Sequence, residues 1–154
     1  MNWGYMLLKA RLAGLASMIL LAPANAQSPR SVLEGFGFFG NWAINCDMPA
    51  TVANPRRHAF LTRGGEIHFT ENYGLRAQRN FYVVFDAKRI APDRIGLRIQ
   101  LNGQAMQNLT MVKANGRLRT VANQRSDGLF LVKDGVVVGT GSETPWLSPC
   151  NEKH

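Results

Sequence analysis

Five turn dipeptides ending in glycine punctuate this chain: Gly64-Gly65, Asn102-Gly103, Asn115-Gly116, Asp127-Gly128 and Asp134-Gly135. Asn-Gly and Asp-Gly accept positive φ and favour two-residue hairpin turns. The stretches between them are too short for most helices and suit strands. Arg94 to Leu101 alternates without a break: Ile95, Leu97, Ile99 and Leu101 share one face, and Arg94, Gly96, Arg98 and Gln100 the other. Phe81 to Ala87 is rich in β-formers, and Pro92-Asp93 supplies the turn between these two strands. Asn115-Gly116 joins Leu109–Lys113 to Arg117–Gln124, and Asp134-Gly135 joins Leu129–Lys133 to Val136–Thr140.

The pattern predicts an all-β domain of about eight antiparallel strands in a meander, closed as a small barrel or a sandwich. The chain has 154 residues, 45% of them hydrophobic, which suffices for one core and not for two domains. Within it, Asn41 to Cys46 alternates as a first strand, with Trp42, Ile44 and Cys46 on one face, and Asp47 to Arg57 reads as a loop around Pro49, Asn54 and Pro55. Treating Gly64-Gly65 as a two-residue turn sets Phe60 opposite Phe69 and His58 opposite Glu71. His58 and His68 then point to opposite faces, and Phe60, Ile67 and Phe69 share a buried one. At least two of Phe81, Tyr82 and Phe85 should also lie inside. No helix is expected, and residues 27–40 read as an irregular lead-in.

The first 26 residues have another logic. Lys9 and Arg11 precede an apolar run from Leu12 to Ala22, and Ala24-Asn25-Ala26 is a small-residue cleavage site. This is the layout of a bacterial secretory signal peptide. The run is shorter than the roughly 20 residues that span a bilayer, so no transmembrane segment is expected after cleavage. The remaining 128 residues, 27–154, carry 16 Lys+Arg against 10 Asp+Glu, a charge of +6. The expected location is the periplasm or the medium. There Cys46 and Cys150, the only two cysteines, are expected to form one disulfide tying the first strand to the end of the domain. Residues 41–150 are thus read as the domain and 151–154 as a tail. Trp42 and Trp146 each stand four residues before a cysteine, which makes them candidates to pack at the closing seam.

Catalytic and cofactor motifs find little footing. Gly35 to Gly40 (GFGFFG) spells GxGxxG, but a dinucleotide site needs a strand before that motif and a helix after it, within a βαβ unit that the chain lacks. There is no GxSxG elbow, and the three histidines, His58, His68 and His154, do not converge in the expected register. No catalytic, cofactor-binding or metal-binding residue is therefore assigned, and no enzyme activity is expected. The arginines are more suggestive. Arg94, Arg98, Arg117 and Arg119 face outward by alternation and would form a basic stripe if their strands were neighbours. That stripe suits an anionic surface or an acidic partner, or is simply a solvated face. Nucleic acid is not expected as a partner, because single-strand binding needs aromatics interleaved on the same face. The last hairpin, LFLV and VVV, is apolar on both faces and calls for a cover, which the proline-containing tail could provide.

Gly40-Asn41-Trp42, opening the first strand of an exported meander, resembles the G-x-W start of lipocalin-like barrels. That resemblance implies a central pocket for a small apolar molecule and carries over no ligand-contacting residue. The wider layout resembles small uncharacterised exported β-proteins of proteobacteria, through Gly40-Asn41-Trp42-Ala43 with Cys46, Asn54-Pro55, Arg117 to Thr120 before Asp127-Gly128, and Thr144-Pro145-Trp146 with Cys150. It implies no known activity. The expected function is that of an exported, non-catalytic binding protein of the bacterial envelope, for an unknown small apolar ligand. The alternative is a periplasmic interaction module, an inhibitor or accessory subunit that uses a basic or apolar face to hold an envelope protein.

Overall fold

A computed structural model describes residues 27–74 and 79–151. The expected signal peptide at 1–26 and the tail residues 152–154 lie outside the described residues. The chain forms α1 (Pro29–Phe36), then β1 (Gly40–Ala43), β2 (Arg56–Leu61), β3 (Ile67–Asn72), β4 (Arg79–Ala91), β5 (Arg94–Leu101), β6 (Met106–Ala114), β7 (Arg117–Arg125), β8 (Phe130–Lys133), β9 (Val136–Val137) and β10 (Ser148–Cys150). All ten strands belong to one antiparallel sheet in the order β10-β1-β2-β3-β4-β5-β6-β7-β8-β9, curled into a half-barrel. The all-β meander is as expected, but it is neither eight-stranded nor a sandwich. The sheet has ten strands, and three residues of the proline-containing tail supply one of its two edges, with Pro149 opposite Trp42.

The half-barrel curls far enough for its two sides to meet at the tail. Leu147 exchanges both backbone hydrogen bonds with Leu118 of β7, each at 2.8 Å, and the next residues pair with β1 as β10. The Cys46–Cys150 disulfide locks this junction and spans 104 residues of sequence. A disulfide of this kind is consistent with an oxidising, extracytoplasmic compartment.

The helix corrects the expectation of an irregular lead-in. Ser28 caps it by accepting a hydrogen bond from the Ser31 amide, Pro29 occupies the first turn, and Val32, Leu33 and Phe36 bury one face. Gly37, at φ 69°, ends it in the left-handed conformation, with its amide bonded to the Glu34 carbonyl and that of Phe38 to Leu33. Part of the glycine motif therefore terminates a helix, the reverse of its role in a dinucleotide fold. The helix packs against β4, and its apolar face joins the core cluster that also holds Phe38, Trp42, Ala87, Ile95, Leu97 and Met111.

The second correction is one of register. The β2–β3 hairpin closes around Arg63-Gly64-Gly65, with the Thr62 amide bonded to the Glu66 carbonyl and the Thr62 hydroxyl accepting from the Glu66 amide. Gly65 takes φ 83°, the third position of a three-residue loop, so the pairs become Arg57↔Glu71, Ala59↔Phe69 and Phe60↔His68. A slip of one residue exchanges faces. Phe60 moves outside, Arg57 moves inside, and His58 and His68 fall on the same outer face. Of Phe81, Tyr82 and Phe85, only Tyr82 is buried. The first strand stops at Ala43, so Ile44 leaves the alternation and is exposed.

Between β1 and β2, residues 44–55 form a fastened loop. The Asn54 side chain accepts from the Asn45 amide at 2.9 Å and donates to the carbonyls of Asn45, Met48 and Pro49 at 3.0–3.2 Å. Arg56 Nη2 holds the carbonyls of Cys46 and Met48. Asn54→Ala is expected to cost about 2 kcal/mol, since it orphans several part-buried backbone groups at once. Hydrogen exchange should show the Asn45 amide losing most of its protection, while amides of β5 and β6 keep theirs.

Candidate functional site

Once the register is set, the inward positions of β2, β3 and β4 bring polar groups to the floor of the half-barrel. Arg57 stands directly across from Glu71, and Phe69 across from Tyr82 on the next pair of strands. Nε of Arg57 donates to Glu71 Oε1 at 3.2 Å, and Nη2 donates to the same oxygen. The other carboxylate oxygen accepts the hydroxyls of Tyr73 at 2.9 Å and Tyr82 at 3.2 Å. Arg57 also reaches Thr120 Oγ1 at 3.4 Å and Met111 Sδ at 3.5 Å, from the far wall. Its guanidinium carbon sits 5.3 Å from the centre of the Phe69 ring, which stacks on Tyr82 at 4.3 Å and 12°.

Arg57 is only 6% exposed, so this is an ion pair withdrawn from water. Burial alone would push the Glu71 carboxyl up. The facing guanidinium charge, with the hydrogen bonds from Arg57, Tyr73 and Tyr82, outweighs burial and holds it below the ordinary carboxylate value. Burial, then the charge of Glu71, pushes the Tyr73 and Tyr82 hydroxyls well above their ordinary value. Both phenols therefore stay protonated and serve as donors.

Above this floor opens a cavity of about 420 Å³. Leu109, Val132, Val137 and Leu147 supply apolar wall, and Ile44 and Val52 of the fastened loop stand at the mouth and are exposed. The lining charges are Arg56, Arg57, Glu71 and Glu143, two of each sign. Asn123, also in the lining and 9% exposed, donates to Gln107 at 2.8 Å, while its own carbonyl oxygen has no partner among the described residues.

The proposed arginine stripe is divided in its roles. Arg94, Arg98 and Arg117 are exposed, but β6 lies between β5 and β7, so the two pairs are not on neighbouring strands. Arg119 is half-buried and works as a strut: it donates to the Gly135 carbonyl at 2.8 Å, Thr144 Oγ1 at 3.1 Å and Glu143 at 3.1 Å. It thereby braces the tail that forms one side of the cavity mouth. The two tryptophans sit in different surroundings, Trp42 on β1 opposite Pro149. Trp42 is buried in the core with its indole N–H on the Phe38 carbonyl, whereas half-buried Trp146 lies against the Arg117 and Arg119 guanidinium groups at 5.6 and 5.7 Å.

The tail covers the last hairpin only in part. Val132 and Val137 face the cavity, but Leu129, Phe130 and Val138 are exposed. Among the described residues, no three His, Cys, Asp or Glu side chains cluster in a way that could hold a metal ion. Arg57, Glu71, Tyr73, Tyr82 and Asn123 were not singled out as a group by sequence. The available signal was Glu71 itself, a charge continuing the buried period of Ile67 and Phe69. No protein-family model, curated protein or solved structure matches this chain.

Proposed function

We propose that this is an exported, non-catalytic binding protein of the bacterial envelope, and that the half-barrel cavity holds a small, uncharged, largely apolar molecule. The carrying observation is the cavity of about 420 Å³, whose apolar walls stand over a polar floor that neutralises itself. Its volume lies in the range of roughly 300–1,000 Å³ usual for small-molecule sites. The floor favours neither ionic sign, because both oxygens of Glu71 are occupied and the charge of Arg57 is matched. A charged head group on the floor would lose its hydration without gaining an opposite charge there, and Arg56, the lining charge without an ion pair among the described residues, is turned to the carbonyls of Cys46 and Met48. A hydroxyl or amide could bond the polar floor while its hydrocarbon part covers the wall and the mouth at Ile44 and Val52. The same saturation supports a non-catalytic reading, since the ionisable groups of the floor are committed to one another.

Native mass spectrometry of protein purified from its own envelope should show a bound small molecule. In solution, 1-decanol should bind saturably, and decanoate and decylamine at least tenfold more weakly. Val137→Trp, at a half-buried position on the cavity wall, should fill the space and abolish decanol binding while leaving the fold intact by circular dichroism. No co-purified molecule and no decanol binding would overturn this reading. A second reading, an inhibitor or accessory subunit, rests on the exposed Leu129, Phe130 and Val138 of the last hairpin. Co-purification of a protein that Phe130→Ser releases would favour it.

A further inference from the structure

A second hollow, of about 280 Å³, lies along β1–β4, lined by the outward residues Asn41, Arg56, His58, Thr70, Asn72 and Arg79 and touched by Trp42 and Arg57 of the inner face. The cross-strand register builds it from two adjacent rows. One row runs Asn41, His58, Thr70 and Phe81; the next runs Arg56, Asn72 and Arg79. Arg56 and Arg79 therefore flank Asn72 at two strand spacings, roughly 10 Å at the backbone, a separation that two arginine side chains can close over one group.

The charge of the hollow is one-sided. Arg56, Arg57 and Arg79 line it beside His58, and no Asp or Glu does, although Arg57 is already matched to Glu71. Among the described residues neither Arg56 nor Arg79 makes an ion pair, although carboxylates elsewhere on the surface are matched to Arg30, Lys88, Arg119 and Arg125. Arg56 is held at the rim by its bonds to the carbonyls of Cys46 and Met48. His58 is held by Nδ1 against Asn41 Oδ1 at 2.8 Å and by stacking on Phe60 at 5.1 Å. Rings continue from there, Phe60 to His68 at 5.8 Å and His68 to Phe81 at 4.8 Å, forming an aromatic ledge beside the hollow.

We infer that this outer hollow is a separate binding site for a phosphoryl group carried by a larger molecule. The Arg79 guanidinium, the nitrogens of Arg56 not bonded to Cys46 and Met48, the Thr70 hydroxyl and the Asn72 NH2 line it from three strands, which suits the several oxygens of a phosphate better than the two of a carboxylate. The ledge then offers apolar and stacking surface to whatever bears the phosphate. The two hollows share Arg56 and Arg57 in their linings, but Asn41, His58, Thr70, Asn72 and Arg79 line this one alone.

The test is a titration of the full mature protein, followed by amide chemical shifts, with inorganic phosphate against sodium chloride at matched ionic strength. Phosphate should produce saturable shifts at His58, Thr70, Asn72 and Arg79 that chloride does not. Arg79→Gln should weaken phosphate binding about tenfold, the loss of one charge-assisted contact, while decanol-induced shifts in the cavity, or the far-ultraviolet spectrum if decanol does not bind, stay unchanged. Glycerol phosphate and phosphatidylglycerol vesicles, the latter against phosphatidylcholine, distinguish the source. Tighter binding of either, lost in Arg79→Gln, assigns a soluble ester or a lipid head group respectively. Equal shifts with chloride, absence of saturation, or vesicle binding indifferent to Arg79→Gln would overturn the site.

Discussion

Removing both sulfurs, as Cys46→Ala with Cys150→Ala, is expected to lower the free energy of unfolding by about 4 kcal/mol. The bond closes 104 residues, and in the chain-entropy model a loop of that size contributes between about 4 and 5 kcal/mol. The folded state adds a local reason. β10 has three residues, one of them Pro149, and its only strand neighbour in the sheet order is the four-residue β1. Without the covalent tie, so short an edge pairing should fray, and with it the two Leu147–Leu118 hydrogen bonds that bring the tail to β7. Urea unfolding of the oxidised protein and the double variant measures the first effect, and hydrogen exchange at Leu147 and Leu118 the second. A loss below about 1 kcal/mol with full protection at Leu147 would show that the tail holds without the bridge.

Glu71→Gln should be nearly as severe, about 3 kcal/mol, because it leaves the Arg57 charge buried without a counter-charge. Replacing both partners with apolar residues, Arg57→Met with Glu71→Leu, should recover most of that loss, since a buried ion pair offsets its own desolvation only narrowly. The pair also sets a pH dependence. Folding holds the Glu71 carboxyl below its ordinary value of 4.5. The unfolded chain thus takes up that proton at a higher pH than the native protein does. The stabilisation is complete above the unfolded value and is lost as pH falls through the folded one. Urea midpoints measured from pH 7 down to pH 2 should fall for the natural protein, with Glu71→Gln removing this residue's share of the slope. Equal slopes in both proteins would mean that Glu71 is not held ionised by folding.

How much of this was legible in the sequence differs from element to element. Asn115-Gly116 is a hairpin turn on sight, and both residues take positive φ, 51° and 73°. Arg94–Leu101 needs only its alternation: Ile95, Leu97 and Ile99 are buried and Leu101 half-buried, while Arg94 and Arg98 are exposed and Gly96 and Gln100 half-buried. Gly64-Gly65 looked equally plain but deceived, because the Thr62 hydroxyl captures the Glu66 amide and adds a residue to the loop. That single residue decides whether β2 turns Phe60 or Arg57 to the interior. The helix at Pro29–Phe36 carried its own signals, a Ser28-Pro29 start and the Val32, Leu33 and Phe36 stripe, but eight residues have little helical stability until a sheet receives their apolar face.

What the chain order settled alone is local: turn chemistry, the period-two faces of the long strands, and the supply of just two thiols for one bridge. Only the folded sheet could decide the candidate sites. The cavity floor joins Arg57, Glu71, Tyr82 and Thr120 from β2, β3, β4 and β7, and the outer hollow joins residues of β1 through β4. Contacts between strands depend on register and curl. Both are cooperative outcomes of packing the whole interior, which no short window of sequence contains.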